Sequence, residues 1–144
     1  MTALLSLTTQ ITAALMPVVA PVRGVALRGR RTPLPQGQRA GIRVNAARHL
    51  LSPNDLAGVT VLCDSTIVVE LLVRADSGDA ETALDPYLGA FWAAIKGIAP
   101  QPNRSGLTED VSISIDLDEA DQLVAVASAA LSVRHITSAA DLSG

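Results

Sequence analysis

The sequence predicts an α+β domain: a largely antiparallel mixed sheet with two helices packed on one face and a long basic loop near residues 28–39. Three observations lead there. Apolar residues recur at helical spacing in two segments, Leu4 to Val18 and Leu84 to Ile95. Other segments are β-branched or alternate apolar with polar residues, the pattern of strands. The elements come in the order helix, strands, helix, strands, which packs helices against one side of a sheet. The length of 144 residues suits a single domain spanning 1–144. With 49% apolar residues and only Tyr87, Phe91 and Trp92 as aromatics, the core must be built from Val, Leu, Ile and Ala.

The first helix places Leu4, Leu7, Ile11, Leu15 and Val18 on one face, with Thr2 as its cap. Pro17 disfavours helical geometry at Met16 and ends it there. Polar residues interrupt the apolar run from Met1 to Ala20, so it falls short of a membrane span, and no Lys or Arg precedes Arg23 as a signal peptide requires. Val22 to Leu27 reads as a short strand. Residues 28–37 hold two prolines and two glycines and read as an irregular, exposed loop. Ala40 to Ala46 is a strand in which Ile42 and Val44 alternate with Arg43 and Asn45, and Ser52 to Asp55 is a turn.

Val59 to Cys63 and Thr66 to Arg74 flank Asp64-Ser65, which is either a hairpin turn or a bulge in one long bent strand. The little-alternating Ile67 to Val73 run predicts a central strand covered on both faces. Ser77-Gly-Asp79 opens a helix with the apolar stripe Leu84, Leu88, Phe91, Trp92 and Ile95. Asp85-Pro86 is expected to start its main segment after a short leading turn, and Gly97 and Pro100 to end it. After a second loop over 100–106, Asp110 to Asp118 alternates cleanly, with a polar face expected to be wet. Glu119 to Ile136 fits both helix and strand; we take it as the hairpin partner of the preceding strand, with frayed residues after it.

Charge is unevenly distributed. No acid precedes Asp55, and seven of the eleven basic residues lie in that stretch, giving +7. The other 90 residues carry four basic and fourteen acidic side chains, a net −10. Such a division suits a surface that meets an oppositely charged surface, including one on another copy of the chain. The candidate interface residues are Arg28, Arg30, Arg31, Arg39 and Arg43 on the basic side, and Asp116, Asp118, Glu119 and Asp121 on the acidic side.

Catalytic and cofactor patterns are missing. There is no phosphate-binding loop, dinucleotide fingerprint or nucleophile elbow. His49 and His135 are the only histidines and lie in different segments; a convergence with Asp64 or Ser65 is open but nothing in the spacing signals it, and they read as ordinary surface or satisfied histidines. The single Cys63 excludes an internal disulfide and a cysteine-built metal site. The cluster Asp116 to Asp121 lacks the Gly and Glu that a helix-loop-helix calcium loop needs, and reads as a solvated turn. The arginines of residues 28–31 suit phosphate, but no stacking aromatics accompany them and the chain is acidic, with pI ≈ 5.2. The expectation is therefore a non-enzyme with no catalytic residues, metal or cofactor.

Three sets of segments carry a family resemblance: Val59 to Cys63 with Thr66 to Arg74, then Asp79 to Ile95, then Asp110 to Leu117 with Leu131 to Thr137. In order and length they resemble the tail terminator, or tail completion, proteins of long-tailed bacteriophages and prophages. The segments at 28–39 and 119–130 depart from that pattern. The resemblance implies a homohexameric ring that caps the tail tube, ends its polymerisation and offers a surface to the head-tail connector. Its partners would be other copies of itself, the tail tube protein and the connector protein, with double-stranded DNA only as passing cargo and no membrane. It would be assembled in the bacterial host cytoplasm and end in the virion, at the neck. The alternatives are another neck or tail-completion protein, and a small enzyme or ligand-binding domain whose site is not legible.

Overall fold

The computed structural model describes residues 3–29, 32–75, 79–98, 113–118 and 124–142. The fold is α+β, with one five-stranded mixed sheet and two principal helices on one of its faces. Helix α1 spans Ala3–Leu15, and two 3-10 turns, Met16–Val18 and Ala20–Val22, carry the chain to β1 (Val25–Leu27). Strands β2 (Ala40–Pro53) and β3 (Thr60–Arg74) are followed by α2 (Ala80–Lys96), β4 (Ile113–Asp118) and β5 (Val124–Ser138). A last helical turn, α3, covers Ala139–Leu142. The strand order is β1-β2-β3-β5-β4; among the described residues only the β1–β2 pair is parallel. No helix among the described residues is long and apolar enough to cross a membrane.

The core lies between the helices and one sheet face. Leu7, Ile11 and Leu15 of α1 and Leu84, Phe91 and Ile95 of α2 are buried there. They pack on Ile67, Val69, Leu71 and Val73 of β3 and on the odd-numbered residues Ala125 to Val133 of β5. Alanines 125, 127 and 129 of β5 belong to the same core as Leu84, Phe91 and Ile95 of α2, in which Phe91 is the one buried aromatic. Gly24 serves a second close approach. A Cβ there would stand 2.4 Å from the Val19 side chain and 2.9 Å from the Ala40 carbonyl oxygen, so only glycine fits.

Several expectations are corrected. Asp64-Ser65 makes no turn: β3 is one continuous strand paired along its length with both β2 and β5. The bulge lies instead in β2, where the register shifts between Ala46 and Arg48. The β2 strand runs on through Pro53, and the turn comes later, over residues 54–59. Asp55 holds that turn, its carboxylate accepting hydrogen bonds from the Val59 and Thr60 amides (3.0 and 3.2 Å) and the Thr60 hydroxyl (2.8 Å).

The α2 helix is continuous through Pro86, because Asp79 rather than Asp85 caps it, accepting from the Glu81 and Thr82 amides. Trp92 is not part of the buried stripe; it is exposed, with the Lys96 ammonium 4.7 Å from its ring centroid. Nor is β3 covered evenly on its second face. There Leu72 is buried with Leu27, Leu34 and Val124, whereas Val68 and Glu70 are half-buried. The ambiguous segment is strand from Val124 onward and pairs with β4 as expected. Ala139, at the start of α3, donates its amide to the Val59 carbonyl at 2.9 Å, and residues 143–144 lie outside the described residues. Thr2, Pro100 and the loop over 100–106, and residues 110–112 and 119–123, lie outside the described residues, as do the side chains of β4.

Candidate functional site

The β2 bulge determines what faces what. Before it, the even residues Ile42, Val44 and Ala46 face the helices; after it, the odd residues His49 and Leu51 do. A one-residue slip exchanges the two faces of a strand. The exchange aims His49 at Ser65 of β3, and the neighbouring register Cys63↔His135 brings His135 of β5 to the same hydroxyl. His49 Nδ1 lies 2.7 Å from Ser65 Oγ, His135 Nε2 lies 3.1 Å from it, and Cys63 Sγ is 3.4 Å away.

Ser65 carries one hydroxyl hydrogen, so at least one of the two histidines must donate to it. Burial lowers the His49 pKa below its ordinary value and favours the neutral ring. Burial likewise raises the Cys63 thiol, with the Asp64 charge adding to it and the Ser65 hydrogen bond opposing. The Ser65 hydroxyl is only 1% exposed, so no substrate carbonyl reaches it in this conformation. Its geometry is that of a satisfied polar cluster in the core. The sequence left a convergence on Ser65 open without a signal for it, because the three strands bring together residues far apart in the chain.

His49 also lines one end of an open groove of ≈ 600 Å³ between α1 and the outer edge of β2. Leu4 and Ala13 of α1, with Met16 of the 3-10 turn that follows, form one wall; Ala26 and Leu27 of β1 close an end, and Val44 and Ala46 form the floor. No carboxylate among the described residues lines it, and Arg28 stands at its rim. The floor is a strand edge. The β1 strand pairs with β2 only from Gly41 to Arg43, and beyond Arg43 no described residue pairs with that side of β2. Leu50 and Leu51 continue along the edge half exposed, and Leu56 at the hairpin tip is fully exposed. Among the described residues no group of three or more His, Cys, Asp or Glu is placed to hold a metal ion.

The predicted interface residues divide. Arg28 is exposed at the end of β1, and Arg39 is exposed just before β2. Arg43 turns inward: its guanidinium donates to both Glu70 carboxylate oxygens (2.9 and 3.0 Å) and to the Thr32 carbonyl (2.8 Å). Arg74 likewise donates to the carbonyls of Gln38, Leu34 and Pro35. Two strand arginines thus hold the proline-rich segment against the sheet with Leu34 buried, so that segment is not wholly exposed as expected. Asp116 and Asp118 lie in β4, at the opposite edge of the sheet, in register with Val126 and Val124. Arg30, Arg31, Glu119 and Asp121 lie outside the described residues.

No protein-family model matches the chain, and no curated protein is similar to it. The site must be read on its own chemistry. That chemistry is an apolar groove with a strand edge that no described residue pairs and a basic rim at one side of the sheet, and an acid-bearing strand at the other.

Proposed function

We propose that this protein is a structural assembly component: a ring that caps the end of a phage tail tube, ends its polymerisation and joins it to the head connector. The observation that carries the reading is the division of charge, +7 before Asp55 and −10 after it, in a chain whose element order resembles the tail terminators. A cyclic ring needs heterologous contacts, in which one patch of each copy meets a different patch of the next. Opposite charges on different parts of one chain provide such a pair. DNA passing through the lumen must not be retained, so the basic residues turn to protein rather than into the channel. The ring would assemble in the bacterial cytoplasm and remain in the virion.

Native mass measurement with negative-stain imaging, at low and high concentration and with tail tube protein added, tests this. Closed rings with an open lumen, and tubes that stop growing when capped, are expected. A chain that neither closes into rings nor binds tube ends overturns the reading. The groove beside His49 favours a second reading, a small ligand-binding domain; saturable uptake of an apolar small molecule by a chain that stays monomeric would support it.

A further inference from the structure

We propose that the open edge of β2, walled by α1, receives β4 of a second copy of this chain as an added antiparallel strand. The inference rests on the self-assembly proposed above and supplies its contact.

The vacancy is a strand position. The β1 strand occupies the outer side of β2 as far as Arg43, and the groove continues its line past Val44, Asn45, Ala46 and His49. Backbone amides and carbonyls along such an edge template a further strand, and an apolar wall beside the edge supplies pockets for alternate side chains. An edge of this length is commonly protected by charges or proline. Here Pro53 stands only at its far end, and the exposed Leu50 and Leu51 invite burial.

Charge and direction identify the occupant. The edge is flanked by Arg28 and Arg48, both exposed, in a stretch without a carboxylate. The matching strand should alternate apolar residues with acids. In β4, Ile113, Ile115 and Leu117 alternate with Ser114, Asp116 and Asp118, and β4 forms the opposite edge of the sheet. Because β2–β3, β3–β5 and β5–β4 are each antiparallel, β4 runs opposite to β2. In a head-to-tail repeat of the sheet, β4 of one copy therefore meets β2 of the next in antiparallel sense, the better-bonded arrangement. The open part of β2 lies further along the strand direction than β4 of the same copy, so successive copies are staggered, as neighbouring strands are in a closed barrel.

Paired cysteine variants test the contact. Leu50→Cys and Asp116→Cys chains are mixed under oxidising conditions, each checked for a wild-type circular dichroism spectrum. The mixture should form an intermolecular disulfide that neither variant forms alone. Separately, Arg48→Glu should weaken self-association about tenfold with the spectrum unchanged. Assembly accompanied by cross-linking of Leu50→Cys to itself, or by no cross-link in the mixture, overturns the edge contact and leaves the ring reading standing. A chain that stays monomeric at every concentration also overturns it, and the tube-end experiment then decides the ring reading alone. The mixed cross-link in open filaments that never cap a tube would support the contact and defeat the terminator reading.

Discussion

Arg43 shows how little the type of a residue says about its use. In sequence it belongs to a run of basic residues in an acid-free stretch; in the fold it makes a two-pronged pair with Glu70, the two side chains only 12% and 17% exposed. Removing one partner strands the other charge. Arg43→Met or Glu70→Leu alone should therefore cost about 2–3 kcal/mol in urea unfolding, and the double variant should recover most of that. His49 gives a pH prediction. Its folded pKa lies below 6.5, so the unfolded chain binds the proton more readily. Stability should be level above that pH, fall as pH drops below it, and flatten once the folded ring is also protonated. Unfolding midpoints at about pH 7.5 and 5.5 check this, and His49→Asn should reduce the difference. The pairing of His49 with Ser65 could not be read from spacing, because it depends on a bulge that the alternating pattern hides.

At the scale of elements, that bulge is itself testable. Deleting Ala47 would remove the extra residue and leave a regular ladder in which Arg48 still pairs with Thr66 and His49 with Ser65. The expected result is a folded chain that keeps the Ser65 contact, seen as continued protection of the buried Cys63 from a thiol reagent. Helix α2 carries the other local conflict. Pro86 sits inside it, exposed, where it removes a backbone hydrogen bond. Pro86→Ala should raise stability by about 1 kcal/mol or more in the same unfolding assay. The helix tolerates the proline because its buried face begins before it, at Leu84, and its N-terminus is fixed by Asp79. The Thr82 hydroxyl and amide, with the Glu81 amide, hold the Asp79 carboxyl below its usual range, and the desolvation opposing them is smaller. Its capping contribution is therefore present above pH 3.8 and lost as pH falls through the lowered value. Local signals read the helices and strands well because apolar spacing is a property of short windows. They misplaced the starts and turns, where an Asp at 79 or 55 outcompeted a nearby proline signal.

At the scale of the whole molecule, the fold class was legible and the open edge of β2 was not. Element order is written along the chain, whereas an unpaired strand edge exists only once strand neighbours are known. The division of charge makes a prediction independent of any single contact. Self-association should weaken with rising salt, and Arg30→Glu with Arg31→Glu should weaken it further at low salt. Normal assembly of that double variant would count against an electrostatic contact. The central position of β3 has a consequence in time. Its first partner, β2, is complete before β3 is made, but its second, β5, follows only after α2 and β4 have been synthesised. Thr60 pairs with Ser138 and Val61 with Thr137, so closing the sheet is a long-range event with a high contact order. While the ribosome is still building that interval, the nascent hairpin waits with an apolar flank uncovered. The chain's most vulnerable moment thus falls during synthesis, and a chaperone that shields the hairpin until β5 arrives should raise the yield of folded protein.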